Sequence, residues 1–120
     1  MTWGHKNGNV RQTGYPLDDT YETMQERIFT TYTDMAYENG GMLAPVGVAW
    51  RNIRSRYPQI ELYTEDNFHP SLAGSVLAAN TLYATMSGAD FVPIEVAGID
   101  TELHKILHQE AVKVALSHCN

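Results

Sequence analysis

Ile60-Glu61-Leu62-Tyr63-Thr64-Glu65-Asp66-Asn67-Phe68-His69-Pro70-Ser71 is the stretch whose reading decides the fold. It passes from a short apolar run, Ile60 to Tyr63, through a turn-rich loop into a long run of small residues, Leu72 to Met86. The first run reads as a strand, and residues 71–87 read as a helix that Gly88 closes. Pro70 fixes its own φ near the helical value and pushes His69 out of the α region, so His69 falls on the loop. The helix carries small or apolar side chains nearly all round, which predicts burial on most sides. Gly74 and the alanines allow close approach to a sheet, and Asn80 reads as a satisfied core amide.

Moving outward, Met42-Leu43-Ala44-Pro45-Val46 is a second short apolar run, suited to a buried parallel strand that Pro45 ends. Gly47 permits a turn into a helix over residues 48–57, with Trp50 and Ile53 inward and Arg51, Arg54 and Arg56 outward. On an acidic chain those arginines read as a solvated face rather than a binding patch. Residues 19–39 predict an amphipathic helix. Asp19 is its expected cap, Glu22 completes a capping-box pattern, and Met24, Ile28, Tyr32, Met35 and Ala36 form its apolar stripe. Met1-Thr2-Trp3-Gly4 reads as the end of a strand before a polar, turn-rich run, which leads to the expectation that the natural polypeptide is longer. Downstream of Gly88, an irregular segment with Pro93 and Gly98 leads to a last helix capped by Asp100, with Leu103, Ile106, Leu107, Ala111 and Val114 on one face.

Strand, helix, strand, loop and helix in this order describe βαβ units. The expected fold class is therefore α/β. Residues 1–120 make one domain, a partial three-layer α/β/α sandwich with a short parallel sheet and its N-terminal strands missing. A partial sheet leaves an edge open, so association with a second copy through that edge is expected.

Composition narrows the function classes. The 120 residues carry a net charge of −6, 43% hydrophobic and 18% charged residues, an ordinary globular balance. The acidic balance argues against nucleic acid or an anionic membrane surface as partner. No apolar stretch reaches membrane-span length, and no basic segment followed by an apolar core opens the chain. The one cysteine, Cys119, excludes an internal disulfide and leaves the compartment open. His104 and His108 stand at i, i+4 spacing, which suits two metal ligands on a helix, but without a neighbouring ligand cluster the signal is weak and a His-based metal site is only a third, lesser reading. No cofactor is expected.

The chemistry sits in Asp66 and His69. An Asp three residues before a His puts both side chains on one tight loop, where the carboxylate can accept the imidazole Nδ1–H. That bond fixes the tautomer, leaves Nε2 as a general base and stabilises the imidazolium formed on turnover. The competing reading of the same residues is a surface turn with an Asp or Ser capping the next helix.

The run from Asp66 through Asn67, Phe68, His69, Pro70 and Ser71 to Ser75 resembles the last sequence block of the SGNH (GDSL-type) hydrolases. Thr2-Trp3-Gly4, Tyr21-Glu22-Thr23-Met24-Gln25, Pro45-Val46-Gly47-Val48-Ala49-Trp50 and Leu62-Tyr63 extend the resemblance over most of residues 1–88, as the C-terminal half of such a bacterial protein. It implies a Ser-His-Asp ester hydrolase in which Asp66 orients His69, His69 is the base, and the substrate is a small-molecule or carbohydrate ester. Trp3 and Asn7 would border the catalytic face as candidate substrate contacts, against the plainer reading of a packed Trp and a turn Asn. Proteins of this kind are often exported. The family's nucleophile and oxyanion donors lie upstream of the matched region. None of Ser55, Ser71, Ser75, Ser87 and Ser117 stands in a nucleophile motif, and Asn7 and Asn9 lack the family's Gly-x-Asn-Asp setting. The rival from another class is a non-catalytic fragment or degenerate domain serving as a binding or assembly module.

Overall fold

The computed structural model describes residues 1–9 and 19–117. These form four helices, α1 (Tyr21–Asn39), α2 (Val46–Arg56), α3 (Leu72–Ser87) and α4 (Thr101–Ser117), and no strand among them. The α/β sandwich expected from the sequence is therefore wrong; the described chain is all-helical. Helices α3 and α4 pack along each other, α2 lies against both, and α1 touches the rest through α2. Trp50, Ile53, Leu62, Leu77 and Leu107 are the large apolar side chains that this packing removes fully from solvent.

The correction has a physical cause. A strand exists only where a neighbour takes up its backbone N–H and C=O groups. Around Ile60–Tyr63 the partners shown are local: the Ile60 N–H donates to the Tyr57 carbonyl at 2.9 Å and the Tyr63 N–H to the Glu61 carboxylate at 3.1 Å, and the loop that follows supplies the rest. The Ser71 N–H donates to the Leu62 carbonyl at 2.9 Å, and the Thr64 N–H donates to the His69 carbonyl at 2.9 Å. Tyr63 forms a single antiparallel bridge with Pro70, and the ladder ends there. Residues 42–46 also fail as a strand. Pro45 becomes the N-cap of α2, and its carbonyl accepts the N–H groups of Val48 and Ala49 at 3.1 and 3.2 Å. Without a sheet among the described residues, the expected association through an open sheet edge loses its premise.

Helix boundaries follow local chemistry more faithfully. Gly40 and Gly88 take left-handed conformations (φ 62° and 67°) at the ends of α1 and α3. Ser71 caps α3 by accepting the Gly74 N–H at 3.2 Å. Asp100 accepts the Leu103 N–H at 2.8 Å at the start of α4. Leu107, Ala111 and Val114 are buried as their spacing predicts. Gly47 does not make a turn; it lies inside α2, where a Cβ would run into the Thr2 carbonyl and the Gln25 side chain. Two faces are more exposed than expected. The α1 stripe is half-buried at most positions, and Met35 is exposed; α3 leaves Leu72, Leu82, Tyr83 and Met86 in solvent.

The cap of α1 is Thr20, whose side chain and that of Thr23 form the reciprocal capping box. Asp19 is instead a buried anchor. Its carboxylate takes a two-pronged pair from Arg27 at 2.6 and 2.9 Å, the Thr23 hydroxyl at 2.5 Å and the Asn9 N–H at 2.8 Å. The Arg27 guanidinium, outweighing burial, holds the Asp19 carboxyl well below the usual range. A carboxyl whose pKa falls on folding contributes stability above its unfolded value, and that contribution is lost as pH falls through the folded one. Asp19→Asn is accordingly expected to cost about 2 kcal/mol at neutral pH, toward the low side because Arg27 remains partly hydrated. The loss relative to wild type should shrink below about pH 4. Urea midpoints for both proteins at neutral and acid pH check this; an equal difference at both would contradict it.

Cys119 lies outside the described residues, as does the part of the polar run beyond Asn9.

Candidate active site

The loop from Thr64 to Ser71 builds the Asp66–His69 pair. Asn67 adopts φ 60°, a left-handed turn that Asn tolerates better than most residues. Its N–H returns to the Thr64 carbonyl at 3.0 Å, closing the loop on itself. The Asp66 carboxylate then faces inward on the turn. Oδ1 accepts the Phe68 N–H and the His69 N–H, each at 2.9 Å, and the Thr64 hydroxyl at 2.8 Å. Oδ2 meets His69 Nδ1 at 2.5 Å. The His69 hydrogen bond, then the backbone and Thr64 donors, hold the Asp66 carboxyl well below the ordinary carboxylate range. It is an anion at any pH where His69 could act as a base. The side chains of His69 and Asp66 remain 66% and 47% exposed, so a substrate can reach the ring.

The N-terminal segment braces this loop. The Lys6 N–H donates to the Asn67 carbonyl at 2.9 Å, and Trp3 Nε1 donates to the Phe68 carbonyl at 3.3 Å. Trp3 stacks on the buried Trp50 ring with centroids 4.2 Å apart and planes 4° from parallel. Phe68 stands edge-on to both His5 and His69, at 4.2 and 4.4 Å. Lys6 also pairs with Glu61 at 2.8 Å, the main cause that draws the Glu61 carboxyl downward.

Beside the loop lies a cleft of about 400 Å³ walled by His5, Asn7, Gly8, Asn9, Asp66, Asn67 and Phe68. Asn7 thus stands with Asp66 at one opening, whereas Trp3 packs on the core and holds the loop from behind. His5 is a neighbour that sequence spacing did not single out. Burial lowers its pKa, opposed by the charges of Asp66 and Asp19. Only chain reversal brings it to the loop, so no local signal marks it.

Ser71 is not placed as a nucleophile. Its hydroxyl donates to the Glu61 carbonyl at 2.8 Å while its oxygen caps α3. Arg54, expected in solvent, instead turns inward, lying 3.8 Å above the Tyr21 ring and donating to the Tyr63 hydroxyl at 3.1 Å and the Lys6 carbonyl at 3.3 Å. Arg56 pairs with the buried Glu110 at 3.4 Å. Arg54 is thus engaged within the fold, whereas Arg56 stays 54% exposed on the solvated face expected of it. His104 and His108 part company: His108 meets Asp90 at 3.0 Å, while His104 is buried. No group of three or more His, Cys, Asp or Glu side chains among the described residues is placed to hold a metal ion. Among them, too, no helix is long and apolar enough to cross a membrane.

Compared with family models, curated proteins and solved structures, the chain matches none of them.

Proposed function

We propose that the Thr64–Ser71 loop is the general-base half of a Ser-His-Asp acyl-transfer site acting on a small-molecule or carbohydrate ester, with the serine supplied from outside these 120 residues. The observation that carries this reading is the clamped Asp66 carboxylate, which three donors, the Thr64 hydroxyl and the Phe68 and His69 N–H groups, hold against His69 Nδ1. A carboxylate held this way orients the ring and stabilises the imidazolium, and the exposed ring offers Nε2 to an incoming hydroxyl. His69 would take the serine proton as the oxygen attacks the ester carbonyl, and return it to the departing alcohol. Water would then add to the acyl-serine with His69 again as base, releasing the acid and restoring the serine. The reading rests on the loop, since the sheet that frames such a site in the resembling family is not part of this helical arrangement.

A second reading, a non-catalytic binding or assembly module, is favoured by the engaged Ser71 hydroxyl and by exposed apolar side chains such as Val92 and Ile94. Fluorophosphonate labelling separates the two. The 120-residue chain should take no adduct. The protein expressed from its natural reading frame should take one, on a serine outside the five named here, and lose it in His69→Ala. An adduct on one of those five would contradict the external nucleophile. No His69-dependent adduct in either protein would leave the second reading.

A further inference from the structure

Helix α3 carries no charged side chain, yet Leu82, Tyr83 and Met86 stand in solvent along it, Met86 at 72% exposure. These three lie within one turn of each other on the helix surface. The segment that joins α3 to α4 extends the same apolar face, with Val92 90% exposed and Ile94 85% exposed. Phe91 fixes that segment to both helices, edge-on to Tyr83 at 4.7 Å and to His108 at 4.8 Å. Where they meet, a groove of about 370 Å³ opens, walled by Val76 and Tyr83 from α3 and by Phe91, Val92 and Ile94 from the segment. Single exposed apolar side chains are ordinary, but several around one open apolar groove mark a surface that receives another.

The charge around this face has one sign. No Lys or Arg occurs from Tyr57 to His104, and the connecting segment sets Asp90 and Glu95 among its apolar residues. Both acids are exposed; Asp90 keeps 68% of its side chain in solvent although it meets His108 at 3.0 Å. The nearest bases in sequence, Arg56 and Lys105, do not line the groove. A second copy of the chain would bring like charge to these carboxylates, which costs affinity and slows encounter. A partner with Lys or Arg beside its apolar residues gains on both counts, and a cation over the Tyr83 ring adds attraction of its own.

We propose that this face receives a basic amphipathic helix of a partner protein, which plants a large apolar side chain in the groove and sets Lys or Arg against Asp90 and Glu95. The proposal stands on α3 and the connecting segment alone, so it holds whether or not the Asp66–His69 loop takes part in catalysis.

Two synthetic peptides serve as probes: a tandem repeat of Leu-Lys-Lys-Leu-Leu-Lys-Leu, whose leucines share one helical face, and the same sequence with Glu for Lys. In amide-shift titrations by NMR at physiological salt, the Lys peptide should bind roughly tenfold more tightly than the Glu peptide, with shifts centred on α3 and residues 89–97. Asp90→Asn combined with Glu95→Gln should remove most of that preference. Ile94→Asn should weaken the Lys peptide about fivefold. All three positions are exposed, so the fold persists in these variants. Equal affinity for the two peptides, absence of binding, or shifts centred elsewhere would overturn the proposal. So would concentration-dependent dimerisation that covers these residues, which would make a second copy the occupant. Loss of Lys-peptide binding in the protein expressed from its natural reading frame would overturn it too, since the rest of that polypeptide would then fill the face.

Discussion

Asp66→Asn is expected to lower ester turnover on the order of 10⁴-fold in the protein that supplies the nucleophile, the scale known for replacing a triad carboxylate by its amide. The reason is tautomeric. Asp66 offers His69 only lone pairs, so the shared proton stays on Nδ1 and Nε2 is left basic. An Asn in the same turn can present its NH₂ group to Nδ1, and the ring then carries its proton on Nε2, where it cannot accept one from a serine. The loop itself should survive, because an Asn Oδ1 can still accept the Phe68 and His69 N–H groups and the Thr64 hydroxyl that hold Asp66 in place. Turnover of a chromogenic acyl ester by wild type and variant, with thermal unfolding as a control on folding, checks this. An unfolded variant would say nothing of the tautomer, but a folded one with undiminished turnover would remove His69 from the chemistry.

Trp50→Ala should be the most damaging substitution for stability, costing about 3–5 kcal/mol. Trp50 is fully buried, stacked on Trp3 and edge-on to Tyr63 at 5.3 Å. Opposite it, Gly74 lets α3 come close enough that any Cβ there would strike the Trp50 ring and the Leu62 carbonyl. Removing the indole therefore opens a cavity that rigid backbone on the Gly74 side cannot readily fill. The loss should also reach the Thr64–Ser71 loop, since Trp3 rests on Trp50 and donates to the Phe68 carbonyl. Urea unfolding gives the stability change, and Trp50→Phe should recover part of it. A loss below about 1 kcal/mol would show that the site collapses freely and that the Trp3–Trp50 stack is not what braces the loop.

The helices were largely legible in the sequence, because helix ends are written in local chemistry. Ser71, Gly88, Gly40 and Asp100 act at the places where their residue types predict, and the α4 stripe is buried as spaced. The Asp66–His69 contact was legible for the same reason: three residues and one turn decide it. Strands were misread because four- or five-residue apolar runs carry too little periodicity, and what decides a strand is a partner elsewhere. Leu62 and Tyr63 are buried as a strand's residues would be, yet they pair with the Thr64–Ser71 loop that follows them. Long-range ties were equally invisible. Nothing near Asp19 announces Arg27 two helical turns on, and nothing near Val76 announces that it shares a groove with Ile94.

The protonation of the two His69 ring nitrogens tests the central claim most directly, and ¹⁵N NMR of the imidazole at a pH where the ring is neutral reads it. The account predicts a protonated Nδ1 and a bare Nε2 in wild type, reversed or mixed in Asp66→Asn. A wild-type ring that carries its proton on Nε2, or the same tautomer mixture with and without Asp66, would mean that the carboxylate does not set the base. The Thr64–Ser71 loop would then be a surface turn and no more.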